Sequence, residues 1–178
     1  MLVDELAAVE PPSSAADLLA QCQTRIANAN SQLRAISDQL GGAPIGTTVA
    51  VLLAYDAFYS CLWSGDSRIY RIRNLSIEQM SVDHTEVQEL IAEGKITLEQ
   101  ARDWPRRNVI TRAIGVFDIP EIEMINGELV SGDTFVICSD GLTNHVSDEE
   151  ILAYSAGNSP QQTCDQLVAL TLDRGAHD

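Results

Sequence analysis

Three aspartates stand at the ends of apolar segments, where their carboxylates could coordinate a metal ion. Asp66 follows the apolar segment 58–64, Asp140 follows the segment 135–139, and Asp178 is the last residue. The end of a strand is a rigid mount, and a neighbouring glycine lets a metal or water approach closely. Hard oxygen ligands of this kind suit Mg²⁺ or Mn²⁺. The pattern predicts an acidic rim that could hold a divalent cation.

Ordinary turns are the alternative explanation for these aspartates. Gly-Asp and Asp-Gly pairs are common in turns, because Asp bonds its own backbone and glycine tolerates positive φ. The turn explanation is stronger for Asp66 than for Asp140, which lies between an apolar strand and a predicted helix. Asp178 carries no signal by itself. The residues alone leave both explanations open.

The cysteines and histidines of the sequence give little support for a structural zinc site or a disulfide framework. The chain has four cysteines, with no Cys-x-x-Cys pair and no His pair at zinc spacing. Cys61 and Cys138 lie in apolar runs and are expected in the core. Neither a structural zinc site nor a disulfide framework is predicted.

Structural roles are predicted for the other charged residues near these motifs. Arg68 and Arg112 are expected to pair with carboxylates or to support turns rather than to contact a substrate. His84 follows Asp83 at a strand-to-helix junction, and it is expected to serve as a cap or packing residue.

The elements that must position the aspartates follow from the apolar periodicity. Ser14 begins a predicted amphipathic helix that ends at the glycines before Pro44. Segments 48–55, 58–64 and 68–72 are predicted strands of one antiparallel meander, the first buried on both faces. Further strands are predicted at 109–114, 121–125 and 134–138, and helices after Ser147 and Ser159. The order predicts an α+β layered domain, 1–178, with a helical insert at about 86–107.

Composition narrows the classes of function. The 178 residues suffice for one domain, and the net charge of −15 argues against nucleic-acid binding. No apolar run approaches the length of a membrane helix, and no secretion signal is visible at Met1. A cytoplasmic location is therefore expected by default.

Five short motifs follow one another along the chain: Gly46-Thr47-Thr48, Gly65-Asp66-Ser67-Arg68, Asp83-His84-Thr85, residues 108–115 and Ser139-Asp140-Gly141-Leu142. Each motif is weak alone, whereas five in order are specific. In this order they resemble the motifs of the bacterial PPM-type (type 2C) serine/threonine protein phosphatases. The last residues, 175–178, resemble the start of the closing motif of that family.

The resemblance implies a four-layer sandwich of two antiparallel sheets flanked by helices. It implies two bridged Mn²⁺ or Mg²⁺ ions that activate a water for attack on phosphoserine or phosphothreonine. Asp140 and Asp178 match ligands of the second metal, and Asp66 matches a ligand of a third, weaker metal. Residues 86–107 match a flap beside the active site. The implied substrate is a phosphorylated protein, and the implied partner is an opposing serine/threonine kinase.

The departures from the family concern its opening motifs. The phosphate-binding Arg and the metal-bridging Asp-Gly have no counterpart here, so the domain is expected to lack its N-terminal strands and its last strand. Hydrolysis is then expected to be near background. The alternative function is a non-catalytic remnant or pseudophosphatase that binds a phosphoprotein or a partner. A third possibility is a segment that needs a second chain to complete the sheet.

Overall fold

Two three-stranded antiparallel sheets form the centre of the structure, a computed structural model that describes residues 1–176. The first sheet has the order β1-β2-β5, with β1 at Val49–Tyr55, β2 at Phe58–Ser64 and β5 at Glu123–Glu128. The second has the order β4-β3-β6, with β3 at Arg68–Arg73, β4 at Ser76–Gln79 and β6 at Thr134–Cys138. The helices are α1 Leu2–Ala7, α2 Ala15–Gln39, α3 Glu86–Ala92, α4 Leu98–Arg102, α5 Asp140–Thr143, α6 Asp148–Ser155 and α7 Pro160–Asp173.

Three apolar clusters define the layers. The first packs α2 against one face of the first sheet, the second lies between the sheets, and the third packs α6 and α7 against the second sheet. Ile26, Cys61 and Ile69 are among the fully buried members of the first two clusters, and Leu167 anchors α7 in the third. The α+β architecture of two antiparallel sheets flanked by helices is therefore confirmed. Cys138, expected in the core, is only half-buried.

The predicted meander of three strands is wrong. β1 and β2 pair with each other, but β3 pairs with β4 and β6 in the other sheet. The chain changes sheets at Gly65, whose φ is +113°. β1 is also not buried on both faces, because only Val49 among its residues is buried.

Two other local predictions differ from the structure. Residues 109–114 make isolated bridges, Thr47 to Ile114 and Thr85 to Ile110, instead of a strand. Their backbone groups bond several elements, as when the Thr111 N–H donates to the His84 carbonyl. The short β4, with its polar sequence, was not predicted.

The long helix α2 begins where predicted, because the Ser14 side chain accepts the Asp17 N–H. Its buried stripe ends at Ser37, whereas Ile36 and Leu40 are 38% and 68% exposed. The stripe also contains a polar residue, Asn30, which is 1% exposed. Among residues 1–176, no helix has the length and apolar character to cross a membrane.

Asn30 joins α2 to the loop after residue 114. Its Oδ1 accepts the Gly115 N–H at 2.7 Å, and its Nδ2 donates to the Phe117 carbonyl at 3.0 Å. Gly115 has a φ of +98°, and a Cβ there would lie 2.4 Å from the Ile45 carbonyl oxygen. The loop is therefore fixed by a buried polar contact and by tight packing.

Asn30→Ala is expected to lower the free energy of unfolding by about 2–3 kcal/mol, because the buried Gly115 N–H loses its acceptor. Urea unfolding followed by circular dichroism measures the change. Asn28→Ala is the matched control, because Asn28 lies on the exposed face of the same helix. The control should be neutral or slightly stabilising, since Ala favours helix. Equal effects of the two substitutions would contradict the buried role.

Candidate functional site

A cavity of about 240 Å³ lies between the ends of the strands and the helical insert. One wall carries the side chains of Asp66, Arg68, Asp83 and Asp140. The opposite wall belongs to α3, α4 and the segment that follows them. Its lining residues are Val87, Gln88, Ala101, Arg102, Arg107 and Asn108.

Asp66 and Asp140 line the same cavity, as the metal-site prediction requires. β3 and β6 pair antiparallel with Arg68 opposite Cys138, so the start of β3 lies beside the end of β6. Asp66 lies just before β3, and Asp140 is the first residue of α5, just after β6. The strand register therefore brings the two aspartates together. Asp178 lies outside the described residues, and metal ligation by all three remains a prediction.

The carboxylate of Asp66 lies in an unfavourable electrostatic environment. Burial raises the pKa of Asp66 above its ordinary value, and the negative charge of Asp140 raises it further. Arg68 opposes these effects only weakly, because its guanidinium serves another carboxylate. Asn144 donates to Asp140 Oδ2 at 3.3 Å. A bound cation would relieve the repulsion between the two aspartates.

Arg68 makes a bidentate ion pair with Asp83. Its Nε donates to Oδ1 at 2.9 Å and its Nη2 donates to Oδ2 at 2.7 Å, while Nη1 donates to the Tyr70 hydroxyl at 3.2 Å. The predicted pairing of Arg68 with a carboxylate is confirmed. Among residues 1–176, Asp66 and Asp140 are then the cavity carboxylates that form no ion pair.

His84 has more contacts than a helix cap needs. Its ring is 4% exposed and stacks on Trp63 at a centroid distance of 6.2 Å. Its backbone N–H donates to the Gly65 carbonyl at 2.9 Å, and its Nδ1 accepts the Gly65 N–H at 3.1 Å. The packing role is confirmed. The ring also holds the peptide N–H of Gly65, and the His84 backbone N–H holds the peptide carbonyl that precedes Asp66.

Arg112 lies on the other side of the His84 ring. Its Nη1 bonds Glu123 Oε1 at 2.7 Å and its Nε lies 3.1 Å from Glu121 Oε2, so its predicted pairing with carboxylates is confirmed. Burial lowers the pKa of His84 below its ordinary value, and the charge of Arg112 lowers it further. A neutral ring keeps Nδ1 available as an acceptor.

The donor set fits one hard cation rather than a complete two-metal centre. Mg²⁺ is commonly held by one or two carboxylates together with several waters. Asp66 and Asp140 could provide the two carboxylates. Within residues 1–176, no group of three or more His, Cys, Asp or Glu side chains is arranged to hold a metal. Within the described residues, Asp66 and Asp140 would by themselves make only a partial metal site.

The insert supplies positive charge that the sequence patterns did not reveal as functional. Arg102 and Arg107 line the cavity, whereas the neighbouring Arg106 pairs with Glu86 at 2.9 Å. Trp104 Nε1 lies 3.4 Å from the same glutamate, which holds the base of the insert. The capped helix α4, which begins after Thr97, positions Arg102. Only the folded insert shows that Arg102 and Arg107 line the same cavity as the aspartates.

Comparison with known proteins identifies relatives across the whole chain. A family profile described as protein phosphatase 2C matches residues 2–169. The serine/threonine protein phosphatase PstP of Mycobacterium tuberculosis is 32% identical over 181 residues, covering 100% of this chain and 35% of that protein. All five sequence motifs lie within the residues that the profile matches.

Solved structures agree with this match. PppA of Pseudomonas aeruginosa has a TM-score of 0.91 and 35% identity, covering 99% of this chain and 73% of that one. The catalytic domain of PstP in complex with 2 manganese ions has a TM-score of 0.86 and 30% identity, covering 99% and 74%. The chain spans only 35% of the length of its curated relative PstP.

Asp66→Asn is expected to raise the unfolding temperature in a chelator at pH 7.5. The raised pKa of Asp66 means that its ionised form is less favourable in the folded protein than in the unfolded chain. Removing that charge should therefore stabilise the metal-free fold. Thermal unfolding in EDTA measures the change.

The control for this substitution is Asp38→Asn, which removes the same charge from an exposed position on α2. Its effect should stay within about 0.5 kcal/mol, as for most surface substitutions. An Asp66→Asn variant that is less stable than the parent in EDTA would contradict the electrostatic interpretation.

The protein is expected to lose stability through His84 as the pH falls below about 6.5, where histidine in the unfolded chain takes up a proton. The lowered pKa means that the folded state resists protonation, so the unfolded state binds more protons in this range. Well above pH 6.5, His84 is neutral in both the folded and the unfolded state, so it contributes no pH dependence to the stability. Urea unfolding at pH 7.5 and 5.5 should show a larger loss for the parent than for His84→Asn. Equal losses would contradict the prediction.

Proposed function

The chain belongs to the protein phosphatase 2C family, and from that premise we propose that its cavity hydrolyses phosphoserine and phosphothreonine with a divalent cation. The observation that carries the proposal is the pair Asp66 and Asp140 in one cavity, whose lining also includes Arg102 and Arg107. Carboxylates on one wall suit a metal, and guanidinium groups on the other suit a phosphate. A phosphate ester could contact both walls at once.

Asp66 and Asp140 would hold the cation in this proposal, with water filling its remaining positions. When bound, Mn²⁺ or Mg²⁺ supplies charge that polarises a phosphate oxygen and lowers the pKa of a bound water. Arg102 and Arg107, which line the cavity, would bind the phosphate, because Arg68 is committed to Asp83 and Arg106 to Glu86. Asn108, which also lines the cavity, could donate a further hydrogen bond.

A phosphorylated protein is the substrate that this chemistry requires, with a serine/threonine kinase as the opposing enzyme. We include a cytoplasmic location in the proposal, since such a kinase would act there. The net charge of −15 disfavours a nucleic-acid substrate. The manganese ions in the PstP relative favour Mn²⁺ as the first metal to test.

A phosphoprotein-binding module is the second candidate function. It is favoured by the donor set, since residues 1–176 contain no cluster of three or more metal-binding side chains. With a partial metal site, the cavity could bind a phosphorylated segment through its arginines and fail to cleave it. The same experiment separates the two functions.

The test is phosphate release from a phosphothreonine peptide in Mn²⁺, with peptide binding measured in parallel. The phosphatase proposal predicts slow turnover that requires Mn²⁺ and falls at least about 100-fold in Asp140→Asn. The rate should be well below that of the PstP catalytic domain, because the described residues supply two unpaired cavity carboxylates and no larger group of metal-binding side chains. Arg107→Ala should raise KM or reduce the rate.

Lys95→Ala is the control for Arg107→Ala, since Lys95 is a 63% exposed cation of the same insert and does not line the cavity. It should leave turnover nearly unchanged. Peptide binding without turnover would support the binding module instead. Neither binding nor turnover would overturn both functions.

A further inference from the structure

We propose that Asp83 and His84 are positioning residues that together hold the turn bearing Asp66 at the cavity. The proposal rests on the proposed function, in which Asp66 is a metal ligand. In this proposal, Asp83 and His84 have a joint role, which is to fix the turn that carries Asp66. A helix cap or a single ion pair would not have this role.

His84 holds the beginning of the turn. Both backbone polar groups of Gly65 bond this residue, since the carbonyl accepts the His84 N–H and the Gly65 N–H donates to Nδ1. These contacts fix the orientation of the peptide groups on either side of Gly65, one of which leads directly to Asp66. The His84 ring is itself buried against Trp63. The start of the turn therefore has little freedom to rotate.

Asp83 holds the end of the turn. Arg68, the first residue of β3, makes three hydrogen bonds to the Asp83 carboxylate, at 2.7, 2.9 and 3.1 Å. Gln79 Nε2 lies 3.2 Å from the same carboxylate and fixes its position. Adjacent residues thus bind the two ends of a four-residue turn, with Asp66 between them.

The inner side of the turn is closed by packing. A Cβ on Gly65 would lie 2.4 Å from the Thr48 Cγ2, and the hydroxyls of Thr48 and Ser67 lie 3.1 Å apart. The backbone of Gly65 also has a positive φ of +113°, which other residues rarely adopt. The turn is consequently held at both ends and along one side.

Asp66 needs such restraint because Asp140 repels it. Two carboxylates directed at one cavity would separate in the absence of a cation if their backbone were free to move. The ring of His84 resists this movement because Nδ1 accepts the Gly65 N–H. The proton of the neutral ring is then on Nε2, which lies 3.3 Å from Glu123 Oε1. Glu123 lies on β5, so the restraint extends to the first sheet.

The test compares His84→Asn with His84→Leu. Asn can place its side-chain oxygen near the position of Nδ1 and accept the Gly65 N–H, whereas Leu fills space without an acceptor. Mn²⁺ binding is measured by calorimetry under conditions in which each variant is folded. Leu should weaken Mn²⁺ binding about tenfold or more, as outer-shell substitutions do, and Asn should stay within about threefold of the parent.

Asn30→Ala is the control for general destabilisation, because it disturbs a buried polar contact outside the cavity. Its folded form should bind Mn²⁺ as the parent does. A His84→Leu variant that is folded and binds Mn²⁺ like the parent would overturn the positioning role. Weakened binding in Asn30→Ala to the same extent would also overturn it.

A measurement without metal keeps the proposal separate from the proposed function. Hydrogen exchange at the Gly65 and Asp66 amides in EDTA should accelerate at least about tenfold in His84→Leu, through local opening, and stay near the parent rate in His84→Asn. Unchanged exchange in His84→Leu would overturn the restraint. Absence of Mn²⁺ binding in the parent, with accelerated exchange in His84→Leu, would overturn the metal function and leave the restraint supported.

Discussion

The pair of hydrogen bonds between Gly65 and His84 is the constraint on which the candidate site depends. Gly65 is where the chain leaves the first sheet for the second, and a side chain there would collide with Thr48. His84, which lies just before α3, bonds the backbone of Gly65, and the His84 carbonyl accepts the Thr111 N–H. Three separate segments therefore meet at one buried histidine. The contacts of His84 therefore fix the position of Asp66.

The register between β3 and β6 adds the second carboxylate. Arg68 at the start of β3 lies opposite Cys138 at the end of β6. Asp66, which precedes Arg68, and Asp140, which follows Cys138, therefore approach each other at one end of the second sheet. The result is two like charges at a cavity, an arrangement that costs stability in the absence of a counter-ion. Folded proteins tolerate such an arrangement when function requires it. Arg68 pairs with Asp83 and therefore offsets the charge of Asp66 only in part.

The helical insert completes the opposite wall with the contrary charge. Helices α3 and α4 are short, and both begin with a threonine cap, at Thr85 and Thr97. Neither helix contains a buried residue, so local caps and the contacts of Glu86 with Trp104 and Arg106 maintain their structure more than a core does. An insert of this kind can present Arg107 to the cavity with modest packing behind it. The similarity to solved phosphatases extends through this segment, since the matches cover 99% of the chain.

The sequence alone determined the elements whose signals are local. Caps such as Ser14 and Ser147, the periodicity of α2 and the apolar strands identified most helices and strands, and five ordered motifs identified the family. Tertiary structure decided which strands share a sheet, because pairing depends on partners distant in the chain. It replaced the predicted meander with a change of sheet at Gly65, and it turned residues 109–114 into a connector. It also revealed Asn30 as the buried hydrogen-bond partner of Gly115 and Arg107 as a cavity residue. Neither could be predicted, since one polar residue on a helix or one arginine in a charged segment carries no local signal. Asp66 and Asp140 could be named from the sequence, but only the antiparallel register of β3 and β6 brings them to one cavity.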